Sequence, residues 1–151
     1  MLISMSTGMP YDISVYTVCV DSYDNQNIRG SFVNNYYGEE FLYNSTVEML
    51  FKMEELMNKI GSPKKYEKDR SFISDKQESN INSHVELPIN RLVQSNGFNE
   101  YNKKGEIATF YIKIRFRQNS SWQGSITWLE GGKTEDFRSV FELLKIINSI
   151  F

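Results

Sequence analysis

The chain is poor in the residues from which most catalytic chemistry is built. Its 151 residues include one cysteine, Cys19, and one histidine, His84. A single cysteine excludes an internal disulfide framework and fits a reducing compartment. A single histidine beside it leaves no zinc-type ligand set, so neither metal nor cofactor is expected. A Cys–His catalytic pair would require Cys19, on a predicted strand, to meet His84, in a polar segment. Nothing around either residue suggests it.

Other absences narrow the classes further. No apolar run approaches the ~18 residues needed to cross a bilayer, and no membrane partner is expected. The opening "MLISMSTGMPYD" lacks the basic first segment and apolar core of a secretory signal. The expected location is the cytoplasm, and the glycosylation spellings at Asn44 and Asn119 carry no weight there. A net charge of −2 gives no overall pull toward nucleic acid. "EGGK", residues 130–133, lacks the spacing of a phosphate-binding loop. Glu39 and Glu40, like Glu135 and Asp136, fall at turns, and Glu48 and Glu142 belong to helix starts. No carboxylate pair is set up for acid–base work, so a non-enzyme is expected.

What the chain does have is internal similarity. Shifted by 94 residues, positions 14–57 lie on 108–151 without a gap, with seven identities. They are Asn25/Asn119, Gly30/Gly124, Ser31/Ser125, Gly38/Gly132, Ser45/Ser139, Glu48/Glu142 and Leu50/Leu144. Each falls where the backbone makes a demand. "YTVCV" and "FYIKIRF" alternate as strands with one buried face: Tyr16, Val18 and Val20 match Phe110, Ile112 and Ile114. Turn formers follow, then a second strand with a glycine inside it, which signals a bulge or a close backbone approach. Gly38 and Gly132 mark another turn, with Gly131 and Gly132 forming a tight hairpin. A short third strand holds Phe41 and Tyr43, or Phe137.

"STVE" and "SVFE" are both S-x-x-E capping boxes, in which the serine accepts from the N–H three residues on. They start helices at Ser45 and Ser139. The first stops at "IGSP", with Gly61 as a left-handed cap and Pro63 beyond it. Met49, Met53, Leu56 and Ile60, and Val140, Leu143, Leu144 and Ile147, have helical spacing and read as core.

The fold expected is a single α+β domain, an antiparallel sheet or partly closed barrel with two helices on one face. It is built from two tandem βββα pseudo-repeats, 11–60 and 105–151, related by a pseudo-twofold axis. A polar excursion, 61–104, separates them. Within it "VELPINRLV" reads as an irregular edge strand around Pro88.

Site candidates cluster in the second unit. Tyr111, Lys113, Arg115 and Arg117 alternate onto one outer face, beside Ser125 and Thr127 of the next strand. Gln123, from the same stretch, completes the set. A basic, aromatic strand face can meet an acidic partner or a second copy of the chain, and less readily single-stranded nucleic acid. "NSSWQG", Asn119–Gly124, fits the N-x-S-x-x-G half of the signature of PilZ domains, which bind cyclic di-GMP. The other half, R-x-x-x-R upstream, is absent, and the matching place in the first unit reads "NQNIRG".

The stretches "FRQNSSWQGSITWLEGG" and "FRSVFELLKII" resemble a group of small bacterial proteins. Those carry R-Q-N-x-[ST]-W-Q-G, then W-x-E, then F-R-S-x-x-E-L. "RGSFVNNYYGEEF" and "MLFKMEELM" resemble the earlier part of the same group. The resemblance brings no activity, ligand or catalytic residue with it. The function expected is a non-catalytic protein-interaction or regulatory domain, acting on another protein or as a homodimer through edge strands and the outer face. The alternative is a small-molecule sensor with a pocket between the two units, in the manner of gyrase-inhibitor-like domains, with Trp122 and Trp128 as candidate walls.

Overall fold

The computed structural model describes residues 11–73 and 103–151. A 3-10 turn, Tyr11–Ser14, leads into β1, Val15–Asp24. Then come β2, Asn27–Asn34; β3, Glu40–Tyr43; and α1, Thr46–Ile60. The second half adds β4, Ala108–Phe116; β5, Gln123–Trp128; β6, Lys133–Phe137; and α2, Val140–Asn148. The strands form one antiparallel sheet in the order β3-β2-β1-β4-β5-β6. The sheet is open, with the short strands β3 and β6 at opposite ends, so the barrel alternative falls away. "VELPINRLV", Pro88 and His84 lie outside the described residues.

The helix-side face carries the core. Tyr16, Val18 and Val20 of β1 and Phe110, Ile112 and Ile114 of β4 are buried there against Met49, Met53 and Leu56 of α1 and Leu143 and Ile147 of α2. Removing each such side chain from water stabilises the fold by about 1.5–3 kcal/mol before entropy is counted. The methionine stripe is therefore core. Ile60, Val140 and Leu144 are only half-buried at the margins.

The helix starts are held as the capping boxes require, with one difference. Ser45 and Ser139 accept from Glu48 N and Glu142 N, each at 3.1 Å. The glutamates reach one residue further back than the serine, to Asn44 N and Arg138 N, each at 3.1 Å. Gly61 caps α1 at φ 75°, and its N–H donates to Met57 O.

The opposite face of the sheet is not simply solvated. Thr17, Cys19, Ser31 and Thr109 are buried there. Residues 103–107 fold back across it: Cys19 Sγ donates to Lys103 O at 3.5 Å, and Gly105 N donates to Thr109 Oγ1 at 2.9 Å. Lys103 also pairs with Glu40, the first residue of β3.

Two register shifts decide where the functional side chains point. Val20 pairs with Gly30, but the next pair is Ser22 with Arg29. Likewise Ile114 pairs with Gly124, and the next pair is Phe116 with Gln123. One residue, Asp21 or Arg115, is skipped each time. The backbones approach so closely that a Cβ on Gly30 or Gly124 would overlap the carbonyl of Cys19 or Lys113. A skipped residue reverses the in–out alternation beyond it. Phe116 therefore turns outward and is exposed, while Arg117 turns under the helices and is only 5% exposed. This overturns the expectation that Arg117 shares an outer face with Tyr111, Lys113 and Arg115. Among the described residues, no helix is long and apolar enough to cross a membrane.

Candidate functional site

A cleft of about 220 Å³ opens on the helix side of the sheet. Val47, Leu50 and Phe51 of α1 form one wall, and Val140, the first residue of α2, stands opposite. Trp122 and the buried end of Arg117 lie at its base. Residues from both halves of the chain thus line one opening.

Glu54, facing the cleft from α1, is the hub of its base. Its Oε2 accepts from Trp122 Nε1 at 2.7 Å. Its Oε1 accepts from Lys65 Nζ at 2.9 Å and from Arg117 Nη1 at 3.4 Å. The same Nη1 donates to Asn58 Oδ1 at 2.6 Å, and Arg117 Nε donates to Pro63 O at 2.8 Å. Burial pulls the Arg117 guanidinium below its usual pKa, and the adjacent Glu54 carboxylate opposes that pull. Burial acts on the Lys65 ammonium in the same direction, but the bonds to Asp69 and Glu54 outweigh it and leave its pKa raised. Both cations are thus committed to carboxylates within the protein.

The segment after α1 closes one side. Lys65 forms an isolated parallel bridge with Arg117, so this part of the polar excursion is docked rather than swinging free. Glu67 accepts from Asn119 N at 2.6 Å and from Ser120 Oγ at 2.9 Å. Asn119 and Ser120 both have φ 55°, a left-handed pair that makes the β4–β5 turn. Ser121 Oγ accepts from Val140 N at 2.9 Å, fastening that turn to the start of α2. Every element of "NSSWQG" is therefore used in building: Asn119 and Ser120 in the turn, Ser121 in the tie to α2, Trp122 in the base, Gln123 in bonds to Gln118 and Gly124 in the close strand approach.

The five sequence candidates are separated. Arg117 alone reaches the cleft. Tyr111 and Lys113 are half-buried on the other face of β4, and exposed Arg115 pairs with Asp136 on β6 at 3.6 Å. Gln123 is taken up locally: its amide accepts from Gln118 N and donates to the carbonyls of Gln118 and Arg138. Trp122 lines the cleft, but Trp128 does not. Cys19 is a free, buried thiol whose pKa burial raises, which makes it a poor nucleophile.

Sequence reasoning missed Glu54, Lys65 and the apolar rim. Val47 is 56% exposed and Phe51 72%. The signal was available: Val47 and Phe51 sit four residues apart on α1, off the methionine stripe. Apolar residues grouped on a surface, unlike single ones, mark an interaction site. The carboxylates at the mouth are engaged as well: Asp69 pairs with Lys65 at 2.5 Å, and Glu67 holds the β4–β5 turn. A cavity of this size is below the roughly 300–1,000 Å³ of small-molecule sites. The chain matches no protein-family model, no curated protein and no solved structure.

Proposed function

We propose that this chain is a non-catalytic protein-interaction or regulatory domain whose interaction surface is the cleft between α1 and α2. The observation that carries the reading is the pair of exposed apolar side chains, Val47 and Phe51, lining an opening whose base is internally paired. Interfaces concentrate their energy where an aromatic or aliphatic anchor enters such an opening. The small volume favours an anchor side chain over a free ligand, so the reading departs from the small-molecule sensor. The buried free thiol of Cys19 is consistent with a cytoplasmic setting.

We also read the chain as two βββα units facing each other across the β1–β4 pair. Support comes from features 94 residues apart: the register shifts opposite Gly30 and Gly124, the left-handed turns at Asn25–Gln26 and Asn119–Ser120, and the serine caps. On this reading the cleft is where the helices of the two units meet.

The test is site-specific photo-crosslinking in cells, with the reactive side chain at position 51 or at position 113. Protein adducts from 51 and few from 113 are expected. Adducts only from 113 would return the interaction to the outer strand face and refute the cleft reading.

A further inference from the structure

We propose that the outward side of the segment after α1, residues 64–72, is a binding surface for single-stranded nucleic acid. It is independent of the cleft reading, because it uses the side chains of that segment that the cleft does not.

The segment sorts its side chains by parity. Lys65, Glu67 and Asp69 line the cleft. Lys65 pairs with Glu54 and Asp69, and Glu67 holds the β4–β5 turn. The alternate residues, Lys64, Tyr66, Lys68, Arg70 and Phe72, line no part of the cleft and are exposed. Both carboxylates are thus committed to the protein body, while three cations and two aromatic rings face water. Among the described residues, Lys68 and Arg70 form no ion pair. Tyr66 is 74% exposed and Phe72 wholly so.

The outward row is interleaved: cation, ring, cation, cation, ring. A single strand presents the same two elements, phosphates along its backbone and base faces beside them, and every base has a face that can stack. Lys64 Nζ already lies 5.1 Å from the Tyr66 ring centroid, over one face of the ring. The other face is left for a base, with the cation close by for a phosphate.

Other polyanions fit less well. Three exposed cations fall short of the cluster of about four to eight that reads as a site for anionic lipid. An acidic peptide would answer the cations and leave the rings unused. A duplex keeps its base faces within its own stack and leaves them unused as well. The net charge of −2 supplies no long-range attraction, so the binding is short-ranged and made at this row.

The experiment is fluorescence anisotropy of a fluorescein-labelled oligouridylate about 12 nucleotides long, titrated with the full chain. Binding in the micromolar range is expected at low salt. Three phosphate contacts on a single strand should weaken it roughly twentyfold between 50 mM and 200 mM salt. Lys68→Gln with Arg70→Gln leaves one such contact and should cut that fall to about threefold. Tyr66→Ala with Phe72→Ala should weaken binding at least tenfold and keep the wild-type salt dependence, which a misfolded variant would not preserve. All four positions are exposed, so both double variants are expected to melt with the wild type. No binding at 50 mM salt up to several hundred micromolar protein would overturn the proposal. So would an affinity indifferent to the ring variant, or a salt dependence indifferent to the charge variant. Competition by a duplex or by polyglutamate as strong as that by the unlabelled single strand would also overturn it, since neither offers bases to the rings. None of these results touches the crosslinking outcome at position 51, so the cleft reading stands or falls separately.

Discussion

The indole N–H of Trp122 donates to Glu54 Oε2 across 2.7 Å, joining the first turn beyond β4 to the middle of α1. The other oxygen of the same carboxylate holds Lys65 and Arg117. One side chain thus satisfies a tryptophan and two cations, two of which are almost wholly buried. Removing one member of a buried, hydrogen-bonded charge group costs more than the group contributes as a whole, because its partners are left unpaired. Glu54→Ala should lower stability by about 3 kcal/mol in urea unfolding. The double variant Glu54→Leu with Arg117→Met should recover at least half of that loss. A double variant as unstable as the single one would show that the shape of the network matters more than its charges.

The close approaches at Gly30 and Gly124 yield a second prediction. A methyl group at either position would overlap a carbonyl of the neighbouring strand, and backbone cannot swing aside as a long side chain can. Gly124→Ala is expected to cost about 3 kcal/mol, enough to lower the melting temperature of a chain this size by roughly 10 °C. Gly30→Ala should cost a similar amount. Gly61→Ala is the control: nothing lies within 4 Å of its added methyl, and only the left-handed φ is strained. Its cost should be near 1 kcal/mol. Equal losses at all three glycines would mean that backbone conformation, not strand contact, sets the requirement.

Acid should loosen the helix starts. Glu48 is held below the usual carboxylate pKa chiefly by its bond to Lys52, and then by Asn44 N–H. Glu142 is held below it chiefly by Arg138. A carboxylate with a lower pKa folded than unfolded binds fewer protons in the folded state, so stability rises with pH through that interval. The contribution is complete above the unfolded value of about 4.3 and is lost as the pH falls through the lower, folded value. The urea midpoint should drop between pH 6 and pH 3. Glu48→Gln with Glu142→Gln should flatten that drop without abolishing it, since Glu40, lowered by Lys103, titrates in the same direction. An unchanged drop in the double variant would assign acid sensitivity to other carboxylates.

The strand and helix plan was legible because each part of it is a local demand. Alternation placed Tyr16, Val18 and Val20 on one face, S-x-x-E marked both helix starts, and glycine inside a strand marked the close approach. Strand order and the position of the cleft were not local. They depend on β1 meeting β4 and on Glu54, Lys65, Arg117 and Trp122 converging from four separate segments. Arg117 shows the limit most clearly. Strict alternation puts it with Arg115, and only the register shift opposite Gly124 turns it inward. A glycine inside a strand signals a bulge, but which residue of β4 is skipped, and so which side chains beyond it reverse, is set by the pairing of two strands. Exposure on the second face was equally out of reach. Thr17, Cys19 and Thr109 look like a solvated face in sequence, and residues 103–107 cross it only in three dimensions.

The outer strand face gives the last prediction, which separates the two surfaces that could carry an interaction. Arg115 is the exposed base on that face, and its partner Asp136 on β6 is also exposed, at 3.6 Å. Such a pair, open to water and salt, contributes between nothing and about 1 kcal/mol. Arg115→Glu should therefore change stability by less than 1 kcal/mol, with its sign set by repulsion from Asp136. It should also leave partner binding intact, because the exposed apolar side chains of the cleft lie on the helix side. Phe51→Ser should do the reverse. Phe51 is 72% exposed, so folding loses little with it, while an interface centred on the cleft loses a ring from its rim. Binding of both variants to the partner captured by crosslinking decides between the faces. Loss with Arg115→Glu and retention with Phe51→Ser would place the interaction on β4 and β5 and leave the cleft as a by-product of how the helices sit.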